Sequence, residues 1–148
     1  MIKTPIGEII LNINEKKKQY VAKELHPSFR KFKVDKRYQI ELEIDKLRKN
    51  STVELYINTD ILISEDHDSD EGLFLSIYKY KNFTIGIGVD GDIKGITYLY
   101  KKNGIRLIIN KCVIKKIKFN ISWCTTNSEN SYLSVWYGVD TNYDVEFV

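Results

Sequence analysis

The sequence predicts a mainly β protein, either an antiparallel β-sandwich or a strongly curved sheet of eight or nine strands, with one short N-terminal helix. The first observation is period-two alternation, in which Tyr38, Ile40 and Leu42 would share one face of a strand and the polar residues between them the other. The second is a set of tight-turn signals between such runs, including 90–92 (Asp-Gly-Asp) and Asn103-Gly104. Short loops between alternating strands are typical of an antiparallel meander.

The predicted elements follow one another with little spacing. A helix over 15–25 would begin after Asn14 as N-cap and end at His26-Pro27. Residues 46–50 would close a hairpin between the first two long strands, and 96–100 would return after the turn at 90–92. Gly86 and Gly88 leave one face of their strand without side chains, which indicates a bulge, a bend or the close approach of another element. The predicted strands are 38–45, 53–58, 73–78 (apolar on both faces and therefore central), 83–89, 96–100, 105–110, 116–124, 132–139 and a short one at 144–148.

Length and composition predict one soluble, cytoplasmic domain over residues 1–148. A chain of 148 residues with 43% hydrophobic and 29% charged residues has enough material for one core. Two cysteines, Cys112 and Cys124, are too few for a disulfide scaffold, although a single bridge between neighbouring strands stays open. The N-terminus lacks an apolar signal region, and no apolar stretch approaches the ~18 residues of a membrane span. We therefore expect no membrane association.

The most distinctive segment is acidic. No Lys or Arg occurs between Asn58 and Tyr78, although the whole chain has a net charge of +3. The middle of this gap, residues 65–72, has five acids and is expected to be a solvated loop, and its concentrated charge would favour contact with a basic partner. A calcium site is a weaker alternative, because the EF-hand positions for glycine and the bidentate Glu are not filled. The predicted partner-binding residues of this segment are Glu65, Asp66, Asp68, Asp70 and Glu71.

Residues 15–37 are basic, with nine Lys or Arg against three Asp or Glu. Nucleic-acid binding would need this charge together with aromatic residues, and Tyr20, Phe29 and Phe32 are interspersed. The low overall charge and the lack of a reader motif instead favour a solvated face, so a nucleic-acid partner is not expected.

The C-terminal third is aromatic. Trp123 and Trp136 on neighbouring predicted strands are typical of a core, because such rings bury large areas. If Trp136 points outward, then Trp136, Tyr137 and Asp140 would form a second partner-binding patch. A carbohydrate or small-ligand platform would use the same rings, and it remains the alternative.

No catalytic constellation is visible in the sequence. His26 precedes a proline, His67 falls in the acidic segment, and Cys124 has no evident base beside it. The spacing of Cys and His does not match a zinc site. We therefore expect a protein that is not an enzyme, without catalytic residues, bound metal or cofactor.

The segments 121–123 (Ile-Ser-Trp) and 135–140 (Val-Trp-Tyr-Gly-Val-Asp) resemble those of small immunity proteins from bacterial polymorphic toxin systems. This resemblance covers about the last thirty residues and the general size, and usage rich in Lys, Ile, Asn and Tyr fits a low-GC bacterium. It implies a cytoplasmic, often β-rich domain that binds and neutralises one cognate toxin. Inhibitors of nuclease toxins are commonly acidic, whereas this chain is slightly basic, so the acidic segments would have to supply the contact or the toxin is not a nuclease.

Overall fold

Most of the alternating segments that the structure describes form antiparallel strands, and one of them, at 132–139, forms a helix. The computed structural model describes residues 2–29, 31–43, 47–70, 73–90, 96–110, 116–125 and 129–139. The predicted class, mainly β with antiparallel sheets, is confirmed. In chain order the elements are β1 (Ile2–Thr4), β2 (Gly7–Ile13), β3 (Lys16–Lys18), β4 (Ala22–Leu25), β5 (Ser28–Phe29), β6 (Phe32–Lys33), β7 (Lys36–Glu43), β8 (Thr52–Asn58), β9 (Ser64–Asp70), β10 (Leu73–Tyr80), β11 (Phe83–Asp90), β12 (Ile96–Lys101), β13 (Gly104–Ile109), β14 (Lys116–Cys124) and α1 (Glu129–Val139).

Six strands form the first sheet. Their order is β1-β2-β8-β13-β12, and β3 also pairs with β2. Leu11 of β2 lies opposite Leu55 of β8, so the apolar positions of neighbouring strands share one face. The β12–β13 hairpin turns at Asn103, whose φ of 72° is one that asparagine tolerates well. A hairpin turn is thus confirmed here, but it lies one residue before the predicted Asn103-Gly104, because Gly104 already pairs with Lys101.

The second sheet also has six strands, in the order β4-β7-β14-β11-β10-β9. Strand β10 lies between β9 and β11, as its two apolar faces predicted. Ile87 of β11 lies opposite Ile121 of β14, and Phe119 of β14 lies opposite Ile40 of β7. Strands β5 and β6 form a separate two-stranded hairpin.

The two sheets pack against each other through one apolar cluster. Leu55 and Leu107 of the first sheet and Ile85 and Phe119 of the second are all fully buried in it. The ring centroids of Phe74 and Tyr98 lie 3.8 Å apart, which joins the sheets by a direct aromatic contact.

Helix α1 and the β5–β6 hairpin cover the other face of the second sheet. A second buried cluster joins Phe29 of the hairpin, Leu75 and Ile77 of β10, and Val135 and Val139 of the helix. A Cβ added to Gly88 would lie 2.4 Å from the carbonyl oxygen of Val139. The close approach that the glycines of β11 predicted is therefore made by this helix. Among the described residues, no helix is long and apolar enough to cross a membrane.

The predicted N-terminal helix is wrong. Asn14 and Glu15 have φ values of 53° and 65° and form a two-residue turn, after which residues 16–18 return along β2 as strand β3. Residues 22–25 form β4 and pair with β7. The apolar stripe of this segment was too narrow to hold a helix against the core, and pairing with existing strands satisfies its backbone instead.

Three further predictions about strands are wrong. The described residues contain fourteen strands rather than eight or nine, because short strands such as β1, β5 and β6 carry little alternation. Segment 46–50 does not close a hairpin, since β7 belongs to the second sheet and β8 to the first. Strand β12 pairs with β13 and not with β11. Residues 91 and 92 of the predicted turn and the predicted strand at 144–148 lie outside the described residues.

The predicted strand at 132–139 is helix α1. Its buried residues are spaced by three and four positions, as on one side of a helix. They are Ser131, Ser134, Val135, Gly138 and Val139.

Candidate partner-binding surface

The acidic segment is a strand, β9, as far as Asp70, and the prediction of a loop there is wrong. Strand β9 is the outermost strand of the second sheet and pairs along its whole length with β10. Its side chains therefore alternate between the two faces of the sheet. Asp66 and Asp68 lie opposite Ile77 and Leu75, which face helix α1, whereas Glu65 lies on the opposite face of the strand.

Pairing also separates the acids. Alternate residues on a strand are about 7 Å apart, so Asp66 and Asp68 do not converge like the ligands of a calcium loop. Asp70 is the last residue of β9, and Glu71 lies outside the described residues. In the described ranges no group of three His, Cys, Asp or Glu residues is arranged to hold a metal ion.

Helix α1 is joined to the acidic strand by a hydrogen bond. The Tyr132 hydroxyl donates to Oδ2 of Asp66 over 2.8 Å. Burial, this hydrogen bond and the charges of Asp66 and Asp68 raise the pKa of Tyr132 to about 12. Tyr132 is therefore neutral at physiological pH and available as a donor to the carboxylate.

The aromatic residues of α1 extend this contact along the helix. Trp136 follows Tyr132 by one turn, and the two rings are stacked with centroids 5.9 Å apart and an interplanar angle of 11°. Leu133 lies on the same side of the helix with 42% of its surface exposed. The exposed acids and these three side chains form one continuous area, named here the acidic-aromatic surface: Asp66, Asp68, Tyr132, Leu133 and Trp136.

The predicted second patch is divided by the helix. Trp136 belongs to the acidic-aromatic surface, whereas the ring of Tyr137 stacks on Phe32 of β6 with centroids 4.9 Å apart. Tyr137 therefore anchors the hairpin to the helix. Asp140 lies outside the described residues. The prediction that Trp123 belongs to the core is confirmed, since it is 5% exposed.

A group of polar side chains around His67 was missed from the sequence. His67 Nδ1 lies 2.9 Å from Ser76 Oγ, and its Nε2 lies 3.5 Å from Oε2 of Glu65. Its ring also stacks on Tyr100 of the first sheet, with centroids 4.1 Å apart. The expectation that His67 lies in a flexible loop is wrong. The Glu-x-His spacing would have predicted this group only if the segment had been recognised as a strand paired with β10.

The His67 group contains a Ser, a His and a Glu, which are the residue types of an acyl-transfer triad. Its geometry, however, indicates a structural role. Ser76 has no exposed surface, so no substrate can reach its hydroxyl. The Tyr100 hydroxyl donates to the carbonyl oxygen of Asp68 over 2.8 Å. These contacts tie the edge strand β9 to the first sheet and fix its position.

Cys124 does not have the character of a nucleophile. It is a free and buried cysteine, and Cys112 lies outside the described residues. Burial and the nearby charge of Asp35 raise the pKa of Cys124 to about 11, so the unreactive thiol predominates at neutral pH.

The basic segment 15–37 is distributed over both sheets. Lys16 lies on β3 of the first sheet, whereas Arg37 lies on β7 of the second and is only 2% exposed. The Arg37 guanidinium packs over the ring of Phe29 at 4.8 Å and donates to the carbonyl oxygen of His26. Phe29 is buried and Phe32 stacks on Tyr137, so neither ring offers a free platform of the kind that single-stranded nucleic acids use.

Comparisons with protein families, with curated proteins and with solved structures give no match to this chain.

Proposed function

We propose that this chain is a non-catalytic protein-binding domain that engages a basic region of a protein partner through its acidic-aromatic surface. The observation that carries the proposal is the hydrogen bond between Tyr132 and Asp66, which joins the acidic strand and the aromatic helix. Two segments that the sequence marks separately thereby become neighbours. A surface with exposed carboxylates beside Tyr and Trp combines fast electrostatic association with the residue types that dominate binding hot spots.

The charge distribution supports a basic partner. Both contributing segments lack bases, since no Lys or Arg occurs between Asn58 and Tyr78 or after Lys118. The surface is therefore negative although the whole chain has a net charge of +3. Local potential, rather than net charge, steers a partner that approaches within a Debye length of about 8 Å.

The partner class that we propose is a bacterial toxin, with this chain as its immunity protein. Support comes from the C-terminal resemblance and from a negative surface suited to covering a basic active site. Because β9 is fixed to the first sheet through His67 and Tyr100, its acids are pre-organised, and less ordering free energy is lost on binding.

The proposal predicts that a neighbouring reading frame encodes the toxin domain, and that domain serves as the partner in the test. The double variant Asp66→Asn/Asp68→Asn removes two charges from the surface without changing side-chain size. Its control, Glu15→Gln/Glu24→Gln, removes the same charge from two other exposed positions. Glu15 lies on the β2–β3 turn and Glu24 on β4. We expect the surface variant to lower the association rate constant about tenfold and to weaken its salt dependence, with the control close to wild type.

Equal association rate constants for wild type and Asp66→Asn/Asp68→Asn would show that the acidic-aromatic surface does not guide binding. Failure of the wild-type chain to bind the toxin domain, or to protect cells that co-express it, would overturn the immunity function. A saturable change of tryptophan fluorescence on adding sugars, without protein binding, would instead favour a carbohydrate module.

A further inference from the structure

We propose that the first sheet carries a separate anion-binding pocket that takes the phosphate group of a small phosphorylated molecule. A half-open surface groove of about 300 Å³ lies beside strand β3. This volume is at the lower end of the range for small-molecule sites. Among the described residues, it is lined by Ile13, Asn14, Lys16, Lys18, Leu47 and Arg48.

Strand alternation brings the two lysines to the same side. Lys16 and Lys18 lie opposite Ile13 and Leu11, whose side chains are on the core-facing side of the first sheet. Lys17 is directed to the other side, where its Nζ lies 4.0 Å from Oε1 of Glu8. Lys16 and Lys18 therefore face the pocket, whereas Lys17 faces the opposite surface of the sheet.

The described residues that line the pocket include three cations and no acid. Its charged lining residues are Lys16, Lys18 and Arg48, and in the described part of the chain none of them forms an ion pair. Three like charges around one cavity repel each other, and a bound anion relieves that repulsion. This pocket is thus electrostatically prepared for a multiply charged anion.

Two features favour phosphate attached to an organic group. The planar Arg48 guanidinium offers paired donors that match phosphate oxygens, and the lysines add point charges. Ile13 and Leu47 pack against the sheet–sheet core and supply an apolar wall for the carbon part of the ligand. The terminal phosphate of such a molecule carries a charge of about −1.5 to −2 at neutral pH, which three cations can balance.

The inference is independent of the acidic-aromatic surface, which is built from the second sheet and α1. It is tested by calorimetric titration of the full chain at low ionic strength with ADP, using adenosine as the uncharged probe. We expect saturable binding of one ADP and no binding of adenosine. Arg48→Gln, and separately Lys16→Gln, should each weaken ADP binding about tenfold, the value expected for loss of a charged hydrogen bond.

Lys17→Gln is the matched control, because it removes the same charge from the same strand on its other side. ADP affinity should remain at the wild-type value in this variant. Equal weakening by Lys17→Gln and Lys16→Gln would show diffuse surface attraction and overturn the pocket, as would the absence of saturable ADP binding. All these side chains are exposed, so thermal unfolding midpoints should stay unchanged. Tighter binding of a single-stranded oligonucleotide than of ADP would overturn the assignment to a small molecule.

Discussion

Val135 of helix α1 packs directly onto Gly86 of strand β11. A Cβ added to Gly86 would lie 2.7 Å from Cγ1 of Val135 and 2.9 Å from Cδ1 of Ile77. Two residues further along the strand, Gly88 contacts the backbone of the helix. A Cβ added to Gly88 would lie 2.4 Å from the carbonyl oxygen of Val139. The position of α1, and with it that of Tyr132 and Trp136, thus depends on the face of β11 that carries Gly86 and Gly88, named here the glycine face.

This contact predicts different outcomes for two alanine substitutions. Gly86→Ala should lower the free energy of unfolding by about 1–3 kcal/mol, because the new methyl group overpacks against side chains. Gly88→Ala should cost more, since a backbone carbonyl cannot rotate away and α1 must shift. Val135→Ala opens space at Gly86, so the double variant Gly86→Ala/Val135→Ala should be more stable than the sum of its single effects indicates.

Urea denaturation of the single and double variants measures these values. The same Val135→Ala change combined with Gly88→Ala is the comparison, and there the rescue should be smaller, because the Gly88 position meets the helix backbone at Val139 and not the Val135 side chain. Equal rescue at Gly86 and Gly88, or a neutral Gly86→Ala, would contradict direct packing of Val135 on the glycine face.

The glycine face could be predicted from the sequence, whereas the helix that covers it could not. Alternation at 83–89 identified both the strand and the bare positions. Helix α1 buries Ser131, Ser134 and Gly138 together with two valines, so its inward side is small rather than apolar. A search for apolar residues at helical spacing misses such a stripe, and the remaining Tyr, Val and Trp residues favour a strand by propensity.

The site was predicted in part for a related reason. Asp66, Asp68 and Trp136 could be selected from charge and residue type alone, without knowing the fold. Their proximity depends on β9 pairing with β10 and on α1 crossing the same face of the sheet. Such pairings are long-range tertiary contacts that override local tendencies, since five acids in seven residues favour a loop by composition.

Tyr132 should make stability depend on alkaline pH. Its pKa is raised from 10.0 to about 12 in the folded chain, so the unfolded chain loses this proton first as pH rises. The associated stabilisation is complete below pH 10 and is lost as the pH rises through about 12. Tyr132→Phe should therefore show a shallower fall of the free energy of unfolding over this interval.

Unfolding titrations at a series of pH values, with tyrosinate absorbance as a second readout, test this expectation. Tyr100 also has its pKa raised to about 12, chiefly by burial, so a residual slope should remain in the Tyr132→Phe variant. At neutral pH the variant should lose roughly 0.5–1 kcal/mol, because the hydrogen bond to the exposed Asp66 is partly screened by water. Identical pH slopes for Tyr132→Phe and wild type would show that the hydroxyl does not titrate in contact with Asp66.

Trp136 should determine how long the proposed complex lasts. Its ring is held in place by stacking on Tyr132, so little side-chain entropy is lost when a partner covers it. Trp136→Ala should raise the dissociation rate constant about thirtyfold, equivalent to the roughly 2 kcal/mol of a hot spot, with the association rate little changed. Leu99→Ala is the control, because Leu99 is 51% exposed on β12 of the other sheet and should have no effect. Surface-based kinetics with the toxin domain measure both rates. Similar dissociation rate constants for Trp136→Ala and wild type would show that Trp136 does not contribute and that the partner contacts only the acids of β9.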